Sequence, residues 1–487
     1  MNCKFIHIVC TFLPVRDDIL IVPDGSGVCQ LSGRPDTGTG ARISRGDNQI
    51  IMTTVAFHTL GCKTNHYETD ALRQQFLSAG FEEVPFHASA DVYILNTCTV
   101  TGEADRKSRQ MLHRARRLNE DALIVALGCA TELGLQDDAA DLHLGTRQKS
   151  AAFRQVMQML SGSLQPAADI TIADDGSAFD EWGAVSHQSE TRGYVKIEDG
   201  CDNHCAYCAI TLARGPVRSR RPDQVIGEAK ALAEAGYREI VLTGIHICSY
   251  GLEWNRPGEH LMELAADLAG IPGIDRIRLG SLEPRSITPG FLALARQNPK
   301  LCPHFHLSLQ SGSDTVLGRM RRQYQTSHYR EVVDELRRHF DDPGITTDII
   351  VGFPGETEQE HADSLAFCRE IGFSRMHVFR YSAREGTAAA SMPDQVDPQI
   401  MIRRSDDMSK LADRLAAACH QRLIGKTVSL IVEKQLPDGS FSGYSERYMP
   451  ISLSSDEALC PGDLVLATVR SADAAGLQCS GAKRVKA

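Results

Sequence analysis

The segment Cys201-x3-Cys205-x2-Cys208 constrains this chain more than any other stretch. It reads Gly200-Cys201-Asp202-Asn203-His204-Cys205-Ala206-Tyr207-Cys208 and follows a β-like run from Val195 to Asp199. Thiolates ligate iron–sulfur clusters, and a [4Fe–4S] cluster takes four ligands. Three cysteines leave one iron without a protein ligand, open to a substrate or cofactor. Structural zinc favours CxxC pairs and a closed set of four ligands, and no second pair lies nearby. Zinc and chance both stay open on spacing alone, because the chain holds 15 cysteines.

At 487 residues the chain has room for about three domains. Its hydrophobic fraction, 42%, suits ordinary packed cores. No apolar run is long enough to span a bilayer, so no membrane is expected. Met1 to Leu20 lacks a basic n-region and a clear cleavage site, so no signal peptide is read. Many cysteines without export signals point to metal or redox work in a reducing compartment, and the expected location is cytoplasmic. The net charge of −10 argues against a general nucleic-acid coat but is compatible with a local basic face.

Residues 1–51 lack sustained periodicity and read as an N-terminal extension, with Met52 the expected natural start and Cys3, Cys10 and Cys29 incidental. From there three apolar runs each end at a cysteine: Val55–Gly61 at Cys62, Val92–Thr97 at Cys98, and Leu123–Gly128 at Cys129. Helical patterns at 67–79 and 103–118 lie between them. That alternation predicts a parallel α/β domain over 52–160. Ligands gather at the carboxyl ends of such strands, so three distant thiols are expected to converge on one sheet edge as a second cluster site, although any one of them taken alone reads as a buried, inert cysteine.

Residues 161–190 are polar and read as a linker, with one short strand at Ile170–Ile172. Over 191–421 strand candidates at 194–199, 239–244, 276–281, 305–310, 345–351 and 375–381 alternate with helices at 222–236, 258–269, 287–296, 326–340 and 357–371. Six βα units predict an open parallel (βα)6 barrel, smaller than the eight-unit form. A long helix is expected over 398–424. From 422 to 487 the strands Thr427–Glu433, Phe441–Met449, Leu464–Arg470 and Leu477–Ser480 predict a small all-β barrel. The expected architecture is thus α/β multidomain.

These features together resemble the radical-SAM methylthiotransferases from about residue 53 to the C-terminus. The likeness is carried by Gly61-Cys62-Lys63-Thr64-Asn65, Asn96-Thr97-Cys98-Thr99-Val100, Gly128-Cys129-Ala130 and the Cys201–Cys208 motif. Thr346-Thr347-Asp348-Ile349-Ile350-Val351-Gly352-Phe353-Pro354-Gly355-Glu356 and Arg384-Glu385-Gly386-Thr387 extend it. The C-terminal barrel is TRAM-like in this reading. Ala213-Arg214-Gly215-Pro216-Val217-Arg218-Ser219-Arg220 and Leu242–Gly251 are most similar to the branch acting on N6-threonylcarbamoyladenosine (adenosine-37, next to the anticodon). The chain departs from the pattern at Arg380, where proline is common, and at Ala130-Thr131-Glu132.

The resemblance implies two [4Fe–4S] clusters as cofactors. One sits on Cys201, Cys205 and Cys208, where S-adenosyl-L-methionine binds the open iron and one electron yields a hydrogen-abstracting 5′-deoxyadenosyl radical. The other, on Cys62, Cys98 and Cys129, carries the sulfur, and a second S-adenosyl-L-methionine supplies the methyl group. The implied partners are tRNA and an external electron donor such as a flavodoxin-type reductant. Gly244, Ser281, Glu283, Ser308, Gln310 and Gly352 lie at predicted strand ends as candidate S-adenosylmethionine contacts, and Gly352 and Gly355 also allow close backbone approach. Arg214, Arg218, Arg220 and Arg221 are candidate phosphate contacts, and Phe441, Tyr444 and Tyr448 candidate platforms for unpaired bases. On 103–118 the inner stripe is Ala104, Ser108, Met111, Ala115 and Leu118, leaving Arg106, Lys107, Arg109, Arg114, Arg116 and Arg117 outside as an RNA or solvent face. Cys248, Cys302, Cys368, Cys419, Cys460 and Cys479 read as structural. The rivals are methylthiolation of isopentenyladenosine in tRNA or of a ribosomal-protein aspartate, and, from another class, an iron–sulfur electron-transfer or RNA-binding protein.

Overall fold

A computed structural model describes residues 53–162, 178–255 and 258–485. The expected extension over 1–51, and the strand at Ile170–Ile172, lie outside the described residues.

The first domain runs β1 (Thr54–Thr59), α1 (Lys63–Ser78), β2 (Glu82–Glu83), β3 (Val92–Thr97), α2 (Gly102–Leu118), β4 (Leu123–Gly128), α3 (Cys129–Glu132), β5 (Leu142–Leu144) and α4 (Ala152–Leu160). Its sheet is parallel in the order β2-β1-β3-β4-β5, so two short strands flank the three expected ones. Alternate residues of β3 serve opposite faces: Val92 and Ile94 pack with Leu72 and Phe76, Tyr93 and Leu95 with Leu112 and Ala115. Leu112 is fully buried on α2, a position outside the expected inner stripe, while Met111 and Leu118 are only half-buried.

The second domain runs β6 (Gly193–Lys196), β7 (Glu198–Asp199), α5 (Ile210–Arg214), β8 (Arg218–Ser219), α6 (Pro222–Glu234), β9 (Glu239–Thr243), α7 (His260–Ala269), β10 (Arg276–Leu279), β11 (Ser281–Leu282) and α8 (Pro289–Gln297). It continues with β12 (His304–Leu307), α9 (Asp314–Arg319), α10 (Thr326–His339), β13 (Gly344–Val351), α11 (Glu358–Ile371), β14 (Arg375–Arg380) and α12 (Pro398–Gln421). Six parallel βα units follow one another, as the periodicity predicts. The third strand breaks at Gly280, whose N–H bonds Leu242 O at 2.9 Å, so the sheet reads β6-β9-β10 and then β11-β12-β13-β14. Strand residues facing the helices are mostly Leu, Ile, Val and Phe in one continuous core, while the opposite face carries Lys196, Glu239, Arg278, Thr346 and Asp348 along with Tyr194, Val241 and Ile350.

The last domain is a closed barrel, in the order β15-β16-β17-β19-β18, built from β15 (Thr427–Gln435), β16 (Phe441–Ser445), β17 (Pro450–Leu453), β18 (Leu464–Ala472) and β19 (Leu477–Arg484). The expected strand 441–449 is interrupted. Tyr448 takes a left-handed φ of 63°, and Ser445 Oγ accepts from Arg447 N at 3.2 Å and Met449 N at 3.0 Å. The chain turns there and returns as β17.

Residues 178–190 are not a free linker. Val185 is buried with Tyr67, Tyr194 and Val241, and Glu181 pairs with Arg220. They help hold α1 against β6. Among the described residues no helix is long and apolar enough to cross a membrane.

Candidate functional site

Each cysteine of the first set is placed by the element it begins or follows. Cys62 is the N-cap of α1, Cys98 follows β3, and Cys129 opens α3 after β4. The preceding glycines are required. Gly61 has φ +104° and a Cβ there would lie 2.8 Å from Cys98 Sγ; Gly128 has φ +118° and a Cβ would lie 2.6 Å from Thr97 O. Burial pushes the Cys98 thiol up to about 12, and the nearby Cys62 and Cys129 push the same way. Cys62, Cys98 and Cys129 thus lie at the carboxyl ends of the neighbouring strands β1, β3 and β4.

The second set lies in the loop after β7. Gly200 has φ +83°, and a Cβ would collide with Pro216 O. Backbone bonds from Cys201 N to Gly215 O (3.0 Å) and Ala206 N to Met320 O (3.0 Å) fix the loop. Burial pushes Cys201 up to about 12, with Cys208 and Cys205 adding to it. Arg322 Nη1 donates to Cys205 Sγ at 3.2 Å, and Asn203 N to Cys201 Sγ at 3.4 Å. A cavity of about 570 Å³ adjoins Cys205 and Cys208, bordered by Thr211, Leu212 and Glu385. Among the described residues no three His, Cys, Asp or Glu converge as they would around a single metal ion. Two sets of three thiols, each with donors aimed at sulfur or clustered at a sheet edge, suit clusters whose irons take one thiolate apiece. The donor chemistry fits that cofactor better than zinc.

A buried ionic hub locks the two sets to each other. Arg214 Nη1 donates to Glu68 Oε1 and Asp199 Oδ1, both at 2.9 Å, and Arg214 Nη2 to Asn65 Oδ1 at 2.7 Å. Lys196 Nζ bridges Glu68 and Asp199 at 2.8 Å each, and Lys149 Nζ reaches Glu68 at 2.5 Å. All of these side chains are buried. Burial acts to raise the Glu68 carboxyl, but Arg214, Lys149 and Lys196 together hold it well below the ordinary range. Asn65 and Glu68 follow Cys62 on α1, Asn96 on β3 accepts from Lys149 Nζ at 3.0 Å two residues before Cys98, and Asp199 lies two residues before Cys201. A second clamp joins the domains where Arg384 Nη2 donates to Thr99 Oγ1 at 2.6 Å and also pairs with Asp105, and Gly102 N donates to Ser382 Oγ at 3.1 Å.

The candidate S-adenosylmethionine contacts divide. Glu283 stands in a polar set at the cluster loop, with His246 Nε2 at 3.2 Å, Asn203 Nδ2 at 3.3 Å and Arg322 Nη2 at 3.5 Å. Burial opposes its charge, yet His246 and Arg322 bring its carboxyl down to about 2. Ser281 is exposed, and Ser308 and Gln310 are half-buried, on the same strand ends. Gln310 has φ +69°, held because its N–H and C=O pair with Asp348 O and Ile350 N, each at 2.9 Å. Gly244 and Gly352 have protein reasons of their own. A Cβ at Gly244 would lie 2.7 Å from Glu198 Oε2; at Gly352, 2.2 Å from Met401 Cγ, and Gly352 N is taken by Glu356 at 2.6 Å. Gly355 likewise has φ +73°, and its N–H goes to Asp394 O at 2.8 Å.

Most of the expected RNA contacts are corrected. Arg214, Arg218 and Arg220 are buried: Arg214 in the hub, Arg218 on Arg214 O at 3.0 Å, Arg220 between Glu181 and Glu228. Only Arg221 of the four is exposed, beside Asp223 at 3.0 Å. Phe441 is a core residue of the closed barrel. Tyr444 stacks on Tyr448 at 4.7 Å, and Arg192 covers both rings. Their side chains dock the small barrel under the large one. On α2, Arg106, Lys107, Arg109, Arg114 and Arg117 are exposed, whereas Arg116 is tied to Asp141 at 2.7 Å. Cys302, Cys368, Cys419 and Cys479 are buried, and Cys248 accepts from Glu283 N at 3.2 Å.

Sequence reasoning missed Glu68, Lys149, Lys196 and Arg322. A signal existed for Glu68: it shares the inward face of α1 with Asn65 and Leu72, where a carboxylate needs a partner. Nothing local marked Lys149 or Arg322.

Residues 195–368 match the Radical SAM superfamily, and residues 54–142 match a group described as Uncharacterized protein family UPF0004. The chain is 38% identical over 415 residues to the Threonylcarbamoyladenosine tRNA methylthiotransferase MtaB of Bacillus subtilis, covering 83% of this chain and 91% of that one. It is 31% identical to the tRNA-2-methylthio-N(6)-dimethylallyladenosine synthase of Methylacidiphilum infernorum, over 78% of this chain and 84% of that protein. In fold it is similar to the radical S-adenosylmethionine methyltransferase TsrM of Kitasatospora setae, with a TM-score of 0.51 at 15% identity, covering 70% of this chain and 77% of the other.

Proposed function

We propose, on the premise that this chain belongs to the radical-SAM methylthiotransferase family, that it converts N6-threonylcarbamoyladenosine in tRNA to its 2-methylthio derivative. The observation that carries this reading is the pair of three-thiol sets on separate domains, fixed to one another through Arg214. Cys201, Cys205 and Cys208 would hold one [4Fe–4S] cluster, and Cys62, Cys98 and Cys129 a second. When bound, the clusters and S-adenosylmethionine supply radical, sulfur and methyl chemistry that side chains do not provide at a non-acidic adenine C–H.

The chain's own residues bind and orient. Arg322 holds the Cys205 sulfur and the Glu283 carboxylate in one place. His246 and Asn203 present N–H groups to the same carboxylate, so Glu283 is fixed as an acceptor at the cluster loop for a cationic or hydroxyl-bearing ligand. Arg384 and the Glu68–Arg214–Asp199 hub keep the first domain seated on the barrel, which excludes water and fixes the approach of the two thiol sets. The exposed basic face of α2 carries the tRNA backbone. An external reductant supplies the electron, and the chain works in the cytoplasm.

The test is anaerobic cluster reconstitution followed by reaction with tRNA bearing threonylcarbamoyladenosine, read by nucleoside mass spectrometry. A methylthio gain on that nucleoside is expected. Gain on dimethylallyladenosine instead, or no gain on any tRNA, overturns the assignment.

A further inference from the structure

The lumen of the (βα)6 barrel carries a polar set that neither thiol site uses. On β12 and β13 the residues Phe305, Leu307, Ile345 and Ile349 face the helices. Their neighbours His306, Thr346 and Asp348 face inward and meet across the strands: His306 Nδ1 lies 3.0 Å from Thr346 Oγ1, and His306 Nε2 lies 3.3 Å from Asp348 Oδ2 without an aligned hydrogen bond. His377 on β14 is the register partner of Asp348, its ring 6.3 Å from that of His306. The Asp348 side chain is 31% exposed and that of His306 14%, so both polar groups are accessible from solvent.

The floor beneath is sealed by the third domain. The Tyr448 ring packs on His304 at 4.8 Å, with Arg278 and Arg192 at 5.1 and 5.4 Å from its centroid. One more cation reaches this floor. Lys63, the residue after Cys62, extends from the start of α1 to place Nζ 5.6 Å from the Tyr448 ring. Its neighbours in depth each have a carboxylate: Arg278 with Glu239 at 2.6 Å, Arg192 with Glu433 at 3.0 Å, Lys196 with Glu68 at 2.8 Å. Among the described residues no carboxylate lies within ion-pair distance of Lys63 Nζ, and the residue is half-buried. Glu239 and Asp348 act on this ammonium only from a distance, so an anionic ligand at close range would supply the contact ion pair that it lacks.

We propose that the lumen above Tyr448 receives the N6 substituent of the substrate adenosine, with Lys63 the counter-ion of its threonyl carboxylate and Asp348, His306 and His377 the partners of its hydroxyl and urea groups. This rests on the tRNA reading above. A dimethylallyl substituent has neither carboxylate nor hydroxyl, so it leaves those polar groups unpaired. Lys63 thereby sets substrate choice from a position one residue away from a cluster ligand, which ties recognition of the substituent to placement of the adenine ring.

The experiment uses the full-length, cluster-loaded protein and fluorescent anticodon stem–loop RNAs bearing threonylcarbamoyladenosine or its neutral threoninamide analogue. Anisotropy gives the affinity ratio of acid to amide. The wild type is expected to favour the acid about tenfold or more, as a charge-assisted bond allows. Lys63→Gln loses that preference, while Lys63→Arg keeps most of it. Iron content measured on each variant confirms that both clusters remain. A wild type that methylthiolates threonylcarbamoyladenosine yet binds acid and amide alike overturns this inference alone, as does a cluster-loaded Lys63→Gln protein that keeps the preference. A wild type that acts only on another nucleoside overturns the functional reading itself.

Discussion

Arg214 Nη2 donates to Asn65 Oδ1 at 2.7 Å, across the boundary between the first domain and the barrel. Asn65 lies one turn after Cys62, and Arg214 closes the short helix that follows Cys208. A single guanidinium thus fixes two cysteine-bearing elements that the chain separates widely. In the same hub Glu68 and Asp199 both depend on it.

Arg214→Met should therefore act on stability. It leaves Glu68 and Asp199 buried with too few cations, a change worth about 3–5 kcal/mol for a broken buried pair. Chemical denaturation of the apoprotein should show the midpoint drop. If Arg214 instead contacted phosphate, the midpoint would hold and only tRNA affinity would fall.

The two thiol sets should load independently. Cys98→Ala and Cys201→Ala are each expected to lower reconstituted iron from about eight to about four atoms per chain, since each [4Fe–4S] site carries four. A fall to zero in either variant would mean one shared site. Gly61→Ala should mimic Cys98→Ala, because its Cβ would occupy the space 2.8 Å from Cys98 Sγ.

Glu198 gives a pH signature. It is fully buried and accepts from His246 N at 2.7 Å, and burial pushes its carboxyl up to about 8. The folded protein then retains a proton that the unfolded chain releases above about pH 4.5. Stability from this group is full below that pH and is lost as pH rises through about 8. Denaturation midpoints between pH 5 and pH 8 should fall for the wild type and fall less for Glu198→Gln. Equal slopes would remove Glu198 as the cause.

The α2 face should govern tRNA affinity. Replacing Arg106, Arg109 and Arg114 by Ala is expected to weaken tRNA binding and reduce the salt slope by about one per lost phosphate contact. Arg221→Ala tests the one exposed arginine after the cluster loop. Unchanged slopes in the triple variant would return α2 to a solvated face.

The two sets of three cysteines and both α/β periodicities were legible because they are local. Three thiols in eight residues define one site without any fold, and strand-to-cysteine spacing defines the other once strand ends are known to carry ligands. The arginines after Cys208 were misread for the opposite reason. A run of Arg214, Arg218, Arg220 and Arg221 looks like a phosphate-binding stripe, yet three of the four are neutralised by Glu68, Asp199, Glu181 and Glu228, carboxylates that only the fold brings beside them. Phe441 and Tyr444 erred similarly: strand alternation assigns them to opposite faces, and which face meets solvent depends on the barrel closing and on its docking partner.

By itself the sequence determined the three-domain order, the parallel barrel and the two sets of thiols, because periodicity and cysteine spacing are properties of neighbouring residues. Only the tertiary structure decided which charges are solvated. Lys63, Lys149, Lys196 and Arg214 carry the same charge as Arg106 or Arg221, and nothing in their local sequence separates the two groups. The difference is burial beside Glu68 and Asp199, which in a low-dielectric interior turns Lys149, Lys196 and Arg214 into the joint between the two thiol sets, while Lys63 is placed at the barrel floor only by the packing of α1 against the other two domains.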